Sequence, residues 1–451
     1  MVLHHFLPFP IKPDQWRLHN HEEVAISNLD STESVPRIPP DTLLQPPVEP
    51  IRDTVITRHF LSYTSTFCQQ LNYLHARLQE AAAYHRNIRI LHYGDSQIEG
   101  DRITAYLREA FQQRFGGSGP GLTTVYDPQR INPSVWLDSE GDWRIHSVYN
   151  RRRSLPDNTY GLMGQTASLS ANSPGYFRLN ASPWAEDHAT RYQKVRLFIA
   201  PHTDTLFIKG HIKKAQVIND SLPPSINLTE INWEFEQVSP AISFELRSHD
   251  DVHILGCALD STAGVSVDNI ALRGQSTPLL HRTDEQLYKA MAEQLNIGML
   301  IFQFGTNIIP TIAPNYRFYQ VQLARQFDLI KKFFPDVPVV VLGISDAAHL
   351  HDGQLQAYDH LNRINEAQKA IALKYDFAFF DLYEAMGGGG AIIEWSQKSP
   401  PWALSDYIHF SRRGGKEAAG YLTKALWAQF NEMESADSSA ITLKREAWQS
   451  Y

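Results

Sequence analysis

The chain has 451 residues, 43% of them apolar and 20% charged, with a formal net charge of −8. That length supports two to three domains with ample core, and the negative balance exerts no general pull on nucleic acid or anionic lipid. Its two cysteines, Cys68 and Cys257, exclude a disulfide framework and a cysteine-based zinc cluster, and no apolar run approaches the roughly 18–20 residues that cross a bilayer.

In chain order, Met1-Val-Leu-His-His-Phe has neither a basic n-region nor an apolar h-region, so it does not read as a signal peptide. Residues 1–50 crowd Pro36, Pro39, Pro40, Pro46, Pro47 and Pro50 together, which predicts an extended lead-in. Phe60–Tyr84 carries helical spacing (Phe67, Leu71, Leu74, Leu78) and leads into the apolar strand Ile88–Tyr93. The chain turns at Gly94-Asp95-Ser96, and helical spacing resumes over Ile103–Phe115. Ser96 there has two readings. It is a nucleophile at a strand-to-helix junction, where unpaired N–H groups and the helix dipole favour an oxyanion. It is equally the N-cap of a capping box with Glu99. Gly116–Gly121 is a flexible loop or boundary, without the Gly-Lys-Ser/Thr of a nucleotide loop.

Over 123–270 the helical period fades. Short runs such as 175–179, 195–199, 205–208, 215–218, 241–246 and 252–255 alternate with turn residues, as in a β-sandwich. From 265 the α/β pattern returns. Strands are predicted over 265–272, 298–304, 338–342 and 377–382, and helices over 284–295, 316–334, 354–375 and 414–430. Apolar strands alternating with helices predict a parallel sheet covered on both faces. The domains are then 51–122 with 271–435 as one discontinuous α/β domain, 123–270 as a β-rich insert, and 436–451 as a polar, frayed tail.

Ligands of such sheets bind beyond the carboxyl ends of the strands. Ser96, Gly274 and Asn307 each fall just after a strand. A serine nucleophile needs a base, an orienter for that base and oxyanion donors. Asp406-Tyr-Ile-His409, just before the last helix, supplies a carboxylate that reaches its own imidazole from one turn. The Asn307 amide and the Gly274 N–H are candidate donors. Each residue also has an ordinary reading, as turn, cap or surface pair. His349-Leu-His351 has metal-ligand residue types but no matching partner, and it reads as a solvated loop. The insert offers Trp136, Trp143, Tyr176, Phe177, Trp184 and Trp233, of which one or two can stack on sugar. Trp395 and Trp402 are candidates for the cleft wall, and Gly387–Gly390 reads as a mobile loop beside the site.

In the order Gly94-Asp95-Ser96, Gly274, Gly305-Thr306-Asn307 and Asp406–His409, these blocks resemble the SGNH, or GDSL-type, hydrolase superfamily. The resemblance implies a three-layer α/β/α domain and a Ser96–His409–Asp406 triad. It implies an oxyanion hole from Ser96, Gly274 and Asn307 with Asp95 in support, and neither a metal nor an organic cofactor. More narrowly, Gly-Asp-Ser-Gln-Ile-Glu-Gly-Asp, the β-rich insert and Leu259–Gly274 look like bacterial peptidoglycan O-acetylesterases, which carry a carbohydrate-binding-like module in the hydrolase domain. That implies an acetylated glycan as partner, removal of O-acetyl groups, and a periplasmic or extracellular place of action. An O-acetyltransferase with the same site, and a glycan-binding protein without catalysis, are the alternatives.

Overall fold

A computed structural model describes residues 54–449, apart from 130, 151, 153, 213, 214 and 240; the lead-in read over 1–50 lies outside them. The chain opens with a hairpin of β1 (Ile56–Arg58) and β2 (Leu61–Tyr63), then α1 (Ser65–Glu80), β3 (Asn87–Gly94) and α2 (Thr104–Phe115). The helix predicted from Phe60 therefore starts later. Leu61 and Ser62 pair with another strand instead, and the Thr64 hydroxyl caps α1 by accepting from the Phe67 N–H.

Eleven strands follow: β4 (Gly121–Thr123), β5 (Val135–Glu140), β6 (Trp143–Ser147), β7 (Gln165–Leu169), β8 (Gly175–Ala181), β9 (Tyr192–Ile199), β10 (Leu206–Ile212), β11 (Ala215–Leu222), β12 (Thr229–Ser239), β13 (Ala241–Arg247) and β14 (Val252–Asp260). They form two antiparallel sheets, one ordered β11-β10-β13-β8-β5 and the other β12-β9-β14-β7-β6 with β4 alongside β14. Phe177, Leu179, Ile208 and Phe244 of the first meet Val195, Leu197, Ile199 and Ile254 of the second in one buried core. This is the inserted sandwich.

The chain then returns through β15 (Gly264–Ala271), α3 (Glu285–Leu295), β16 (Ile297–Gln303), α4 (Arg317–Phe333), β17 (Val339–Leu342), the hairpin β18 (Ala348–His351) and β19 (Gln354–Ala357), α5 (Leu361–Lys374), β20 (Ala378–Phe380), α6 (Leu382–Met386), α7 (Ala391–Gln397) and α8 (Arg412–Gln449). Residues 264–270, which fall within the range read as insert, are an edge strand of the main sheet. The helix predicted from Gln354 begins only at Leu361, because Asp352 and Gly353 take the positive φ of a two-residue hairpin turn (49° and 76°). The tail read as frayed keeps a helical backbone to Gln449.

The main sheet runs β1-β2-β20-β17-β16-β3-β15. From β20 to β15 every pairing is parallel, and β2 adds antiparallel to β20. The strands read as continuous apolar runs because their residues divide between two cores. Leu91, Leu300, Val341 and Phe379 face α3, α4 and α5. Ile90, Ile301, Val340 and Phe380 face α1, α2 and α8. The molecule is thus a three-layer α/β/α domain with a β-sandwich inserted between α2 and β15.

Candidate active site

At the carboxyl end of β3 the chain turns sharply over Asp95-Ser96. Asp95 is fully buried. One oxygen accepts the Gln97 N–H (2.9 Å), and the other accepts the N–H groups of Gly305 (3.2 Å) and Thr306 (3.0 Å). Burial pushes this carboxyl up to about 6, against the pull of those hydrogen bonds and of nearby His409. Asp95 therefore stitches the turn after β3 to the turn after β16.

No helix begins behind Ser96. A turn and the 3-10 segment Glu99–Asp101 intervene, and α2 starts at Thr104. The capping box does not form either. Glu99 pairs with Arg273 (3.0 Å), while Ser96 Oγ lies 2.8 Å from His409 Nε2.

His409 comes from the loop before α8. Its Nδ1 is 2.7 Å from Asp406 Oδ2, and Asp406 Oδ1 accepts the backbone N–H groups of Ile408 (3.0 Å) and His409 (2.9 Å). Burial alone would raise the Asp406 carboxyl. The hydrogen bonds from the His409 ring and from these two N–H groups outweigh it and hold the group at about 2. Asp406 is thus a carboxylate wherever an imidazole can act as a base. The tautomer consistent with this geometry has the proton on Nδ1 and leaves Nε2 to accept from Ser96.

The loop is clamped by a residue that sequence reasoning missed. Gln97, beside the serine, donates from Nε2 to the Ile408 carbonyl (2.9 Å) and to Ser345 Oγ (3.1 Å), and its Oε1 accepts the Phe410 N–H (3.0 Å). It holds the backbone on both sides of His409. Its partners lie 248 to 313 residues away, so no local pattern announces it.

Gly274 and Asn307 occupy the neighbouring strand exits. Ala271 and Gln303, near the ends of β15 and β16, both pair with Gly94. Gly274 sits in the turn beyond β15 with φ +74° and open space on its Cβ side. Asn307 lies in the 3-10 turn after β16, where its side-chain amide donates to the Gln275 carbonyl (2.8 Å). That bond ties the two turns and leaves the second amide hydrogen for another acceptor. Ser96, His409 and Asp406 are joined directly. Gly274 and Asn307 adjoin them through Gln275 and Asp95 rather than by bonds to Ser96.

Other sequence candidates fall elsewhere. His349 stacks on Tyr358 (4.4 Å) in the β18–β19 region, and among the described residues no group of three or more His, Cys, Asp or Glu is arranged to hold a metal. Both cysteines are free thiols. Trp143 is buried in the sandwich, and Trp395 packs edge-on to Trp402 (5.3 Å). Trp184 is half-exposed, and its carbonyl accepts from Arg412 (3.0 Å) at the start of α8, so one insert loop touches the helix that follows the His409 loop. The glycines at 387–390 link α6 to α7, and the Gly390 N–H donates to buried Asp346 (3.0 Å). Among the described residues no helix is long and apolar enough to cross a membrane.

Residues 246–416 match the GDSL-like lipase/acylhydrolase family. That span holds the Gly274, Asn307 and Asp406–His409 blocks and excludes Gly94-Asp95-Ser96, as follows when an insert separates the first block from the rest. A solved peptidoglycan O-acetylesterase is similar in fold, with a TM-score of 0.63 at 19% identity over 83% of this chain and 99% of that one. A family two carbohydrate esterase from Clostridium thermocellum aligns over 63% of this chain and 97% of that one, at 10% identity and a TM-score of only 0.26. No curated protein matches the sequence. The resemblance read from the four blocks holds at the level of this family and of the O-acetylesterase fold.

Proposed function

We propose that this protein is a serine esterase that removes O-acetyl groups from a glycan, specifically peptidoglycan, by two-step acyl transfer. The observation that carries the chemistry is the chain of contacts Ser96 Oγ, His409 Nε2, His409 Nδ1 and Asp406, at 2.8 and 2.7 Å. The glycan rests on the fold shared with a peptidoglycan O-acetylesterase over 83% of this chain.

Ser96 Oγ attacks the acetyl carbonyl carbon as its proton passes to His409 Nε2. The carbonyl oxygen becomes an oxyanion, which accepts from the N–H groups of Ser96 and Gly274 and from the remaining Asn307 amide hydrogen. The Asp406 carboxylate stabilises the imidazolium and fixes its ring. The intermediate collapses, the ester C–O bond breaks, and His409 returns the proton to the departing sugar oxygen. Water then adds to the acetyl-serine, giving its proton to His409. Acetate leaves, and Ser96 regains a proton from the imidazolium. Since peptidoglycan lies outside the cytoplasmic membrane, this reading puts the working enzyme there.

Ser96→Ala removes the nucleophile. The expected loss in kcat is at least about 10³-fold, with loss of fluorophosphonate labelling and retention of the wild-type unfolding midpoint. Acetate release from O-acetylated peptidoglycan, run beside acetylated xylan, checks the glycan. Release from xylan alone discards peptidoglycan, and transfer of acetyl to an added sugar identifies a transferase. Failure of the folded wild type to label overturns the serine mechanism.

A further inference from the structure

A cavity of about 270 Å³ opens beside the serine turn, at the seam between the α/β domain and the sandwich. On one side it is lined by Glu99, three residues past Ser96, and by Arg273, the neighbour of Gly274. On the other it is lined by the stretch after β4 and by residues at the ends of β6 and β7. Resting on the esterase reading above, we infer that this cavity is a sugar subsite. It takes one neutral 2-acetamido-hexose ring of the glycan, the ring next to the one whose ester lies at Ser96.

Size argues for a single ring. Pockets that enclose drug-sized ligands run from about 300 to 1,000 Å³, and this cavity falls just below them. Its wall is built in advance of binding. The Asp127 carboxylate accepts the N–H groups of Gln129 (3.0 Å) and Ile131 (2.7 Å), folding the stretch after β4 back on itself. Ser134 hydrogen-bonds Asp101, which Arg108 also holds through two hydrogen bonds (2.7 and 3.2 Å). The insert wall is thereby fixed to the segment that follows Ser96, so little ordering remains to oppose binding.

The lining specifies the chemistry. Asn132 and Asn150 both line the cavity. The Asn132 Oδ1 accepts the Ser134 N–H (2.9 Å) and the Asn150 Oδ1 accepts the Arg152 N–H (3.1 Å). With their carbonyls engaged, both side chains offer NH₂ donors. The Tyr149 hydroxyl accepts from Gln165 (3.0 Å) and is also hydrogen-bonded to the Ser147 hydroxyl, which lines the cavity beside it. Donors for a carbonyl or hydroxyl oxygen thus stand beside the apolar Leu122 and Met163. That pairing suits an acetamido group, a strong acceptor joined to a methyl. The charges present are already matched, Arg273 by Glu99 and Asp127 by backbone N–H groups. The site therefore favours an uncharged ring over one carrying a carboxylate.

Chitobiose and cellobiose share a β-1,4 disaccharide frame and differ in the acetamido groups, so they serve as probes. Calorimetric titration of the full chain should show chitobiose binding about tenfold or more tightly than cellobiose, a preference reduced about tenfold by Asn132→Ala with Asn150→Ala. Tyr149→Phe, which deletes one hydroxyl, supplies a second variant should the pair fail to fold, and should weaken chitobiose severalfold. Equal binding of the two sugars, or unchanged binding in folded variants, overturns the subsite. Turnover of 4-nitrophenyl acetate separates this result from the chemistry. Hydrolysis without chitobiose binding removes the subsite alone, whereas chitobiose binding without any Ser96-dependent hydrolysis keeps a sugar site and removes the esterase.

Discussion

At the scale of single residues, the decisive contacts join neighbours of the serine to distant backbone. Gln97 grips the Ile408 carbonyl and the Phe410 N–H, so it acts on His409 as a positioning residue. Gln97→Ala should lower kcat by about 10- to 100-fold with KM nearly unchanged, because misplacement by a fraction of an ångström weakens proton transfer more than binding. Steady-state kinetics against 4-nitrophenyl acetate checks this, with the unfolding midpoint measured beside it. A fall in stability with kcat intact would assign Gln97 to structure alone. Ser96, Asn307, Asp406 and His409 stood out in the sequence because each falls at a strand exit or at fixed spacing. Gln97 did not, because a glutamine's hydrogen bonds leave no periodic trace. The double reading of Ser96 was resolved only in three dimensions, where Glu99 turns to Arg273 and the hydroxyl turns to His409.

Among elements, α8 matters most to the site. Its first turn contains Gly414 and Gly415, and a glycine pair in a helix costs about 1 kcal/mol per residue relative to alanine. The close approach of backbone explains their presence. A Cβ on Gly415 would stand 1.8 Å from the Arg102 carbonyl oxygen, and one on Gly414 would stand 2.0 Å from that of Trp402. Arg102 in turn donates to the Ser96 carbonyl (3.3 Å). Gly415→Ala should push α8 off the serine turn, destabilise the fold by about 1–3 kcal/mol or more, and slow fluorophosphonate labelling. Urea unfolding and labelling rates report the two effects. The long helices and buried strands were legible because apolar periodicity is strong over ten or more residues. The three-residue β2 and the β18–β19 hairpin were not. Short strands carry little pattern, and the Asp352-Gly353 turn was hidden between flanking segments whose spacing also suits a helix.

For the whole molecule, the joint between insert and host is a buried ion cluster. Arg89 on β3 bonds Asp268 on β15 (2.6 Å) and Asp260 at the end of β14, and Arg196 on β9 reaches Asp260 (3.4 Å); Arg89 and both carboxylates are fully buried. Burial raises the Asp268 carboxyl. At Asp260 the same burial is outweighed by Arg89 and then Arg196, and its pKa is lowered. Arg89→Met would leave both acids without their shared cation, at a cost of about 3–5 kcal/mol near neutral pH. Without that cation both folded pKa values rise above their unfolded values, so the penalty should grow as pH increases from about 4 toward neutrality. Unfolding midpoints at pH 4 and pH 7 test this, and a penalty equal at both would refute it. An insert of β texture was legible from recurring short apolar runs, yet its strands β5, β6, β7 and β12 were not, because Gln, Ser, Thr and Glu interrupt them. Nor was the clasp, since Arg89 reads as a lone charge in an apolar strand. The sheet order has one further consequence. The two partners of β3 are β15 and β16, and β2, besides its hairpin partner β1, pairs with β20. Chain emerging from a ribosome therefore completes every strand of the sandwich before either neighbour of β3 has been made. The guest can assemble from antiparallel pairings within its own stretch while the host still waits for its strands. Newly made protein should thus acquire a protease-resistant sandwich before any esterase activity, with the α/β half depending on a module that has already folded.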